Sequence, residues 1–323
     1  MSDDLIPSLR PPTLALTMGD PAGIGPEIVR AALSDERVSR RARLVVCGPE
    51  ALRIERAPAL HEYRAVGEAE PYEVGVAQAS AGRLALAALA EGARLARVGD
   101  VDGLVTAPVS KEALWLAGEK VEGQTTLLSR WEGVDAEMLA VAGPLRVLVA
   151  TRHMPLVEAI ARLNSDLVVE KLRILDEGLR GLGVRRPKLA LPGLNPHAGE
   201  GGLLGSEEGD YLEGAVERAR ALGIDVHGPF SPDTIFLRAY RGEFDGVLGL
   251  YHDQAFIPTK LIEPERGLTV LFGLPYLRVS PAHGTAFDIA GRGVANPENL
   301  VTAICQAAEW AVARKRSTPQ GVE

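Results

Sequence analysis

The stretch Gly246-Val-Leu-Gly-Leu-Tyr-His-Asp-Gln-Ala-Phe-Ile-Pro-Thr-Lys260 sets a short apolar run directly against an imidazole, a carboxylate and an amide. An apolar run of that length, bounded by polar residues, reads as a buried strand, with Tyr251-His-Asp-Gln254 as the loop at its carboxyl end. Alone, such a cluster need only cap a strand and turn the chain. The arrangement recurs, however. Leu14-Ala-Leu-Thr17 leads into Met18-Gly-Asp-Pro-Ala-Gly-Ile-Gly-Pro-Glu27, and Leu104-Val-Thr106 leads into Ala107-Pro-Val-Ser-Lys111. Val147-Leu-Val-Ala-Thr151 leads into Arg152-His-Met154, and Leu189-Ala-Leu191 into Pro192-Gly-Leu-Asn-Pro-His-Ala-Gly-Glu200.

Further runs at Leu44 to Cys47 and Leu268 to Phe272 complete the apolar set, and helical patterns lie between runs at Ala77 to Arg97, Asp166 to Leu182, Glu207 to Leu222 and Pro297 to Arg314. Asn164-Ser-Asp166 supplies N-cap chemistry for the second of these helices. Alternation of this kind predicts an α/β protein with a largely parallel core. In open parallel sheets ligands bind beyond the carboxyl ends of the strands, so the five polar loops are expected to face one crevice.

Composition sets the outer bounds. The chain has 323 residues, 46% hydrophobic and 24% charged, enough for one large or two medium domains with a substantial core. A formal charge of −8 and a pI near 5.4 argue against nucleic acid as a partner, because phosphate neutralisation needs a basic face. Cys47 and Cys305 have no metal-type spacing and read as reduced thiols. The N-terminus lacks the pattern of a secretory leader, and no apolar run is long enough to span a bilayer. A cytoplasmic protein without a membrane partner is the expectation. The last residues, Lys315 to Glu323, read as a frayed tail.

Three of the six histidines, His153, His197 and His252, fall at equivalent places in these loops. A lone histidine is more often an ordinary core or surface residue, but three in one setting point to a divalent metal with an open coordination position. His61 and His227 lack that setting and read as surface residues. Asp233 and Asp253 are left open between turn chemistry and orienting an imidazole, while Asp245 reads as turn or cap chemistry. The glycine loop Gly19 to Glu27 matches neither G-x-G-x-x-G nor the P-loop. Its spacing leaves open both a tight turn and anion binding at the following helix, with Pro26 at the first helical position.

Ser280-Pro-Ala-His-Gly-Thr-Ala-Phe-Asp-Ile-Ala-Gly-Arg-Gly-Val-Ala-Asn-Pro297 resembles the adenosine-binding loop of the isopropylmalate and isocitrate dehydrogenases, which bind NAD or NADP without a Rossmann fold. With this loop beside the three histidine loops, the chain from about residue 13 to 315 is similar to the 4-hydroxythreonine-4-phosphate dehydrogenase family. Asn195-Pro-His-Ala-Gly-Glu200, Gly228-Pro-Phe-Ser-Pro-Asp-Thr234 and Gly273-Leu-Pro-Tyr-Leu-Arg278 carry the resemblance further.

The resemblance implies an isocitrate/isopropylmalate dehydrogenase-like fold, with two α/β domains around a central cleft: 1–122 plus 285–323, and 123–284. It implies NAD or NADP held by His283, Gly284, Thr285, Asp288, Ala295 and Asn296. A divalent metal (zinc, magnesium or cobalt) would be held by His153, His197 and His252, one of these arriving from the other subunit of a homodimer with shared active sites. Gln124, Thr125, Lys260, Thr269 and Arg278 would meet a phosphorylated small-molecule substrate, with Lys260 as proton shuttle and Lys260 and His252 as the catalytic pair.

The implied reaction is oxidation of 4-phosphohydroxy-L-threonine to a β-keto acid that decarboxylates to 3-amino-2-oxopropyl phosphate, in pyridoxal 5'-phosphate (vitamin B6) biosynthesis. Two departures matter. The family usually has Gly-His-Thr-Glu where this chain has Gly123-Gln-Thr-Thr126, and Asn where it has Thr269. They keep alive a same-fold dehydrogenase for threonate or erythronate 4-phosphate or for a cyclic diol carboxylate. A reading of another class is a non-catalytic nucleotide- or metal-binding protein.

Overall fold

The computed structural model describes residues 10–317. The described residues fall into two compact units, the first containing residues to Gln124, Tyr276–Ser280 and Gly284–Val312, the second Thr125–Pro275, Pro281–His283 and the residues from Ala313. The division drawn above kept 123–284 together. Here Tyr276–Ser280, which carries Arg278, groups with the first unit.

In the first unit the strand order is β3 (Leu60–Ala65), β2 (Arg43–Gly48), β1 (Thr13–Thr17), β4 (Gly103–Thr106) and β11 (Arg278–Pro281), and every pairing is parallel. The inner strands β1, β2 and β4 are buried along nearly their whole length, as continuous apolar runs between two covered faces must be. The helix Ala79–Val98 packs against them, and its buried residues include Leu84, Ala85, Ala88, Leu89 and Ala93. Gly92 allows that approach: a Cβ there would stand 2.8 Å from Leu104 Cδ1.

The second unit has the order β10 (Gly267–Phe272), β5 (Glu137–Ala142), β6 (Leu145–Val149), β9 (Gly246–Gly249), β7 (Lys188–Pro192) and β8 (Asp225–Phe230). β10 and β6 run antiparallel to β5, while β6, β9, β7 and β8 are mutually parallel. Val147, Val149, Ala190 and Val247 pack with Ile235, Phe236, Phe244 and Ala255 into a core. At about 25 cal/mol per Å² of apolar surface, burial of this kind is the main stabilising term.

The expected α/β class holds, and the expected strands and helices stand within a few residues of their observed bounds. Asn164 Oδ1 accepts from Leu167 N at 3.0 Å, which is the foreseen cap. Four strands were not foreseen: β3, β5, β8 and β11. The expected helix Glu207 to Leu222 opens as one π-helical turn, Glu208–Leu212, before the α-helix Glu213–Ala221. The final helix Glu298–Ser317 takes in Lys315 to Ser317, the beginning of the supposed tail, and the rest of that tail lies outside the described residues, as does most of the N-terminal segment. No helix among the described residues is long and apolar enough to cross a membrane.

Candidate active site

Beyond the carboxyl end of β1 the glycine loop is spent on packing. Asp20 N donates to Pro108 O at 2.9 Å, Gly23 N to Asp20 O at 3.1 Å and Ile24 N to Thr285 O at 3.0 Å. Gly19, at φ +73°, would bring a Cβ within 2.4 Å of Pro108 O. The helix Gly25–Ser34 starts among buried residues with Ile24 as its N-cap, so Pro26 is the second helical residue rather than the first. The loop is therefore a clamp that joins the 107–110 turn to the segment after Gly284. At its centre Asp20 is fully buried. One carboxylate oxygen accepts from Ala22 N at 3.0 Å, the other has no partner among the described residues, and burial pushes the pKa up.

The segment Gly284 to Asn296 rests on this clamp. Thr285 is buried, with its carbonyl committed to Ile24, and Gly293 N donates to Glu27 Oε2 at 2.7 Å. Gly284, Asp288 and Asn296 are exposed, and Ala295 and His283 half-buried. Asn296 Oδ1 accepts from Glu298 N at 3.0 Å at the start of the last helix. Val74 is exposed beside this loop, where a Cβ at Gly291 would stand 3.0 Å from Val74 Cγ1.

The buried end of β11 holds the least ordinary side chain of the unit. Arg278 is 3% exposed, and no carboxylate pairs with it among the described residues. Its Nη2 donates to Thr106 Oγ1 at 2.7 Å and to Gln124 Oε1 at 3.3 Å. Nε is buried with no partner among the described residues. Desolvation pushes the guanidinium pKa down to about 10, so the group stays cationic near neutrality. A buried cation without a counter-charge costs several kcal/mol, and the cost is recovered when an anion arrives.

In the second unit the histidine loops share one edge, the carboxyl ends of β6, β9 and β7. Thr151 Oγ1 donates to Leu250 O at 2.7 Å, tying the first two loops together. Gln254 is buried, accepts from Leu250 N at 2.7 Å and donates to Gly193 O at 2.9 Å, tying the second to the third. The rings of His153 and His252 have centroids 5.4 Å apart. Asp253 Oδ1 lies 2.7 Å from His252 Nδ1; an ionised carboxylate only accepts, so Nδ1 donates, and the neutral ring has its lone pair on Nε2. Phe256 lies 4.5 Å from the His252 ring, and Lys260 Nζ 5.7 Å from Phe256, so these residues occupy one face of the helix His252–Ile262.

His197 sits elsewhere on that edge, with Nδ1 3.5 Å from Ser231 Oγ, which donates to Asp233 at 2.7 Å. His153 at φ +27° and His197 at φ +52° both adopt backbone that side chains other than glycine seldom take. Glu208 holds the His197 loop: its carboxylate accepts from Leu194 N and Asn195 N at 2.8 Å and from Asn195 Nδ2 at 2.9 Å. Two nearby imidazoles, one with a fixed tautomer, fit part of a nitrogen-donor metal centre. Among the described residues no group of three or more His, Cys, Asp or Glu side chains within the chain could hold a metal ion, so the three histidines do not close such a centre in one copy.

Comparison with known proteins gives this arrangement its context. The family described as pyridoxal phosphate biosynthetic protein PdxA matches residues 29–307. The chain belongs to the PdxA family. It is 39% identical to the 4-hydroxythreonine-4-phosphate dehydrogenase of Beijerinckia indica, over 95% of this chain and 96% of that protein. It is 40% identical to the D-threonate 4-phosphate dehydrogenase of Salmonella typhimurium, over 90% of this chain and 97% of that one. The crystal structure of 4-hydroxythreonine-4-phosphate dehydrogenase from Klebsiella pneumoniae superposes with a TM-score of 0.82 at 36% identity, over 94% of this chain and 99% of that chain. The protein is a PdxA-type dehydrogenase.

For this PdxA member the sequence-derived residues divide by unit. Gln124, Thr106 and Arg278 meet in the first, and His153, His252 and Lys260 gather in the second. Thr125 is half-buried beside Gln124, and Thr269 half-buried within β10. Asp245 is structural, as read: its carboxylate accepts from Lys188 N at 2.8 Å and latches β9 to β7. His61 lies at the surface against Arg43, and His227 pairs with Asp225 at 2.8 Å. Sequence reasoning missed Glu208, Asp20 and Gln254. The only available signal for Glu208 was its place just after a glycine-rich loop, where a carboxylate can collect free backbone N–H groups.

Proposed function

We propose that this PdxA-type dehydrogenase oxidises 4-phosphohydroxy-L-threonine with NAD, in the presence of a divalent metal, to a β-keto acid that loses CO₂ to leave 3-amino-2-oxopropyl phosphate, and so serves pyridoxal 5'-phosphate biosynthesis. The observation that carries this reading is Arg278. A buried guanidinium oriented by two neutral acceptors, with Nε unpaired, suits an incoming phosphate. The names of the relatives, both acting on 4-phosphorylated hydroxy acids, support the same substrate class.

Gly284, Thr285, Asp288, Ala295 and Asn296, with His283, would hold NAD, which supplies the hydride acceptor. His153, His252 and, from a second copy of the chain, His197 would hold the metal, which supplies charge stabilisation at the reacting oxygen. Asp253 keeps the His252 ring in one tautomer. Lys260 is the proton-transfer group of this scheme, on one face of the helix with His252 and Phe256. Arg278 and Thr106 fix the anionic end of the substrate while Thr125 and Thr269 offer hydroxyls to its polar groups.

A second reading, D-threonate 4-phosphate as substrate, is favoured by the 40% identical relative of that name and by Gln124, Thr126 and Thr269 in place of the usual family residues. Formation of NADH, followed by absorbance with each phosphorylated acid and with zinc, magnesium or cobalt after chelation, decides between them. Turnover of neither, with any metal, would contradict both.

A further inference from the structure

Gln124 stands where the family usually has histidine, and direct carry-over makes it a substrate contact. Its hydrogen bonds point elsewhere. Oε1 accepts from Arg278 Nη2 at 3.3 Å, and Nε2 donates to Ala107 O at 3.1 Å. Flipping the amide would aim its NH₂ at a guanidinium and its oxygen at a carbonyl, losing both bonds, so the orientation is fixed.

The same Nη2 donates to Thr106 Oγ1 at 2.7 Å. One guanidinium nitrogen is thus gripped from the end of β4 and from the first residue of the helix Gln124–Glu132, which sets the plane of the whole rigid fork. Both acceptors are neutral. A carboxylate at either position would pair with Arg278 and satisfy its charge with no ligand present; an amide and a hydroxyl orient the group without neutralising it. Nε stays buried and unpaired.

We propose that Gln124 is a positioning residue: it holds the Arg278 guanidinium in one plane and leaves its charge available to an anionic group of the substrate. This rests on the reading of Arg278 given above. The test compares Gln124→Ala, Gln124→Glu and Gln124→His with wild type, measuring kcat and KM for both phosphorylated acids and the binding of inorganic phosphate by calorimetry.

Loss of one hydrogen bond to a charged group predicts that Gln124→Ala raises KM about tenfold with kcat nearly unchanged. Gln124→Glu, nearly isosteric, raises KM about a hundredfold and weakens phosphate binding as much, because its carboxylate occupies the guanidinium. Gln124→His, which restores a neutral acceptor, recovers KM to within about threefold of wild type. A fall in kcat at unchanged KM in all three variants, or a Gln124→Glu variant with wild-type KM, would overturn the proposal. If wild type oxidises neither acid, the substrate reading fails by itself, and phosphate calorimetry still decides the role of Gln124. Phosphate binding that Gln124→Glu abolishes supports it; equal binding, or none, in both proteins overturns it.

Discussion

The carboxyl edges of the two units solve different problems. In the first, Arg278 is buried, held by neutral groups and short of one counter-charge. In the second, His153 and His197 are exposed on left-handed backbone, and Gln254 and Glu208 hold the neighbouring loop backbone. The first edge keeps a buried charge that no carboxylate neutralises among the described residues; the second keeps two histidines on backbone that costs free energy to hold.

Breaking the second edge has the largest expected effect. His252→Ala should lower turnover at least about a thousandfold while the far-ultraviolet circular dichroism stays unchanged, and metal bound per chain, measured by elemental analysis, should fall with it. Wild-type turnover by a fully metal-stripped variant would exclude the histidine edge from catalysis. Arg278→Met breaks the first edge. It should cost about a hundredfold in kcat/KM toward a phosphorylated acid, yet leave the melting temperature equal or higher, because an unpaired buried cation has been replaced by an apolar chain. A sharp drop in melting temperature would mean that the guanidinium is structural.

Smaller effects sharpen the contrast. Glu208→Gln removes the charge from three hydrogen bonds and sets an amide NH₂ against the Asn195 Nδ2 donor, so stability should fall by about 2 kcal/mol in a denaturant titration. Amide exchange should quicken first around His197. Asp20→Asn acts through pH. The raised pKa of Asp20 in the folded state means that its contribution to stability is fully present below the unfolded value of 3.8 and is lost as pH rises through the folded pKa. The variant, which cannot ionise, should therefore lose less stability than wild type between about pH 4 and neutrality. Parallel melting curves across that range would show that Asp20 does not titrate there.

What the sequence disclosed and what it hid follow the same physical line. β1, β2, β4, β6, β7, β9 and β10 were legible because a strand covered on both faces must be a run of apolar residues. β3 is an edge strand with exposed polar residues, β8 contains Gly228-Pro229, and β11 carries Arg278 itself, so none reads as such a run. The histidines were legible through their repeated position after strands. The burial of Arg278 was not, since a lone arginine in sequence stands by default for solvent-exposed charge. Nor was Glu208, whose neighbours read as the polar face of a helix until the π-helical turn aims it at the His197 loop. The left-handed histidines leave no trace in composition, because strain is a property of the surroundings that enforce it.

On the proposed function, the buried guanidinium is kept short of a counter-charge for the phosphate of a small hydroxy acid. The most direct measurement is kcat/KM, by NADH formation, for 4-phosphohydroxy-L-threonine against its dephosphorylated counterpart, in wild type and in Arg278→Met. A preference for the phosphorylated acid of about a hundredfold or more is expected in wild type and collapses in the variant. Equal preference in the two proteins would contradict it.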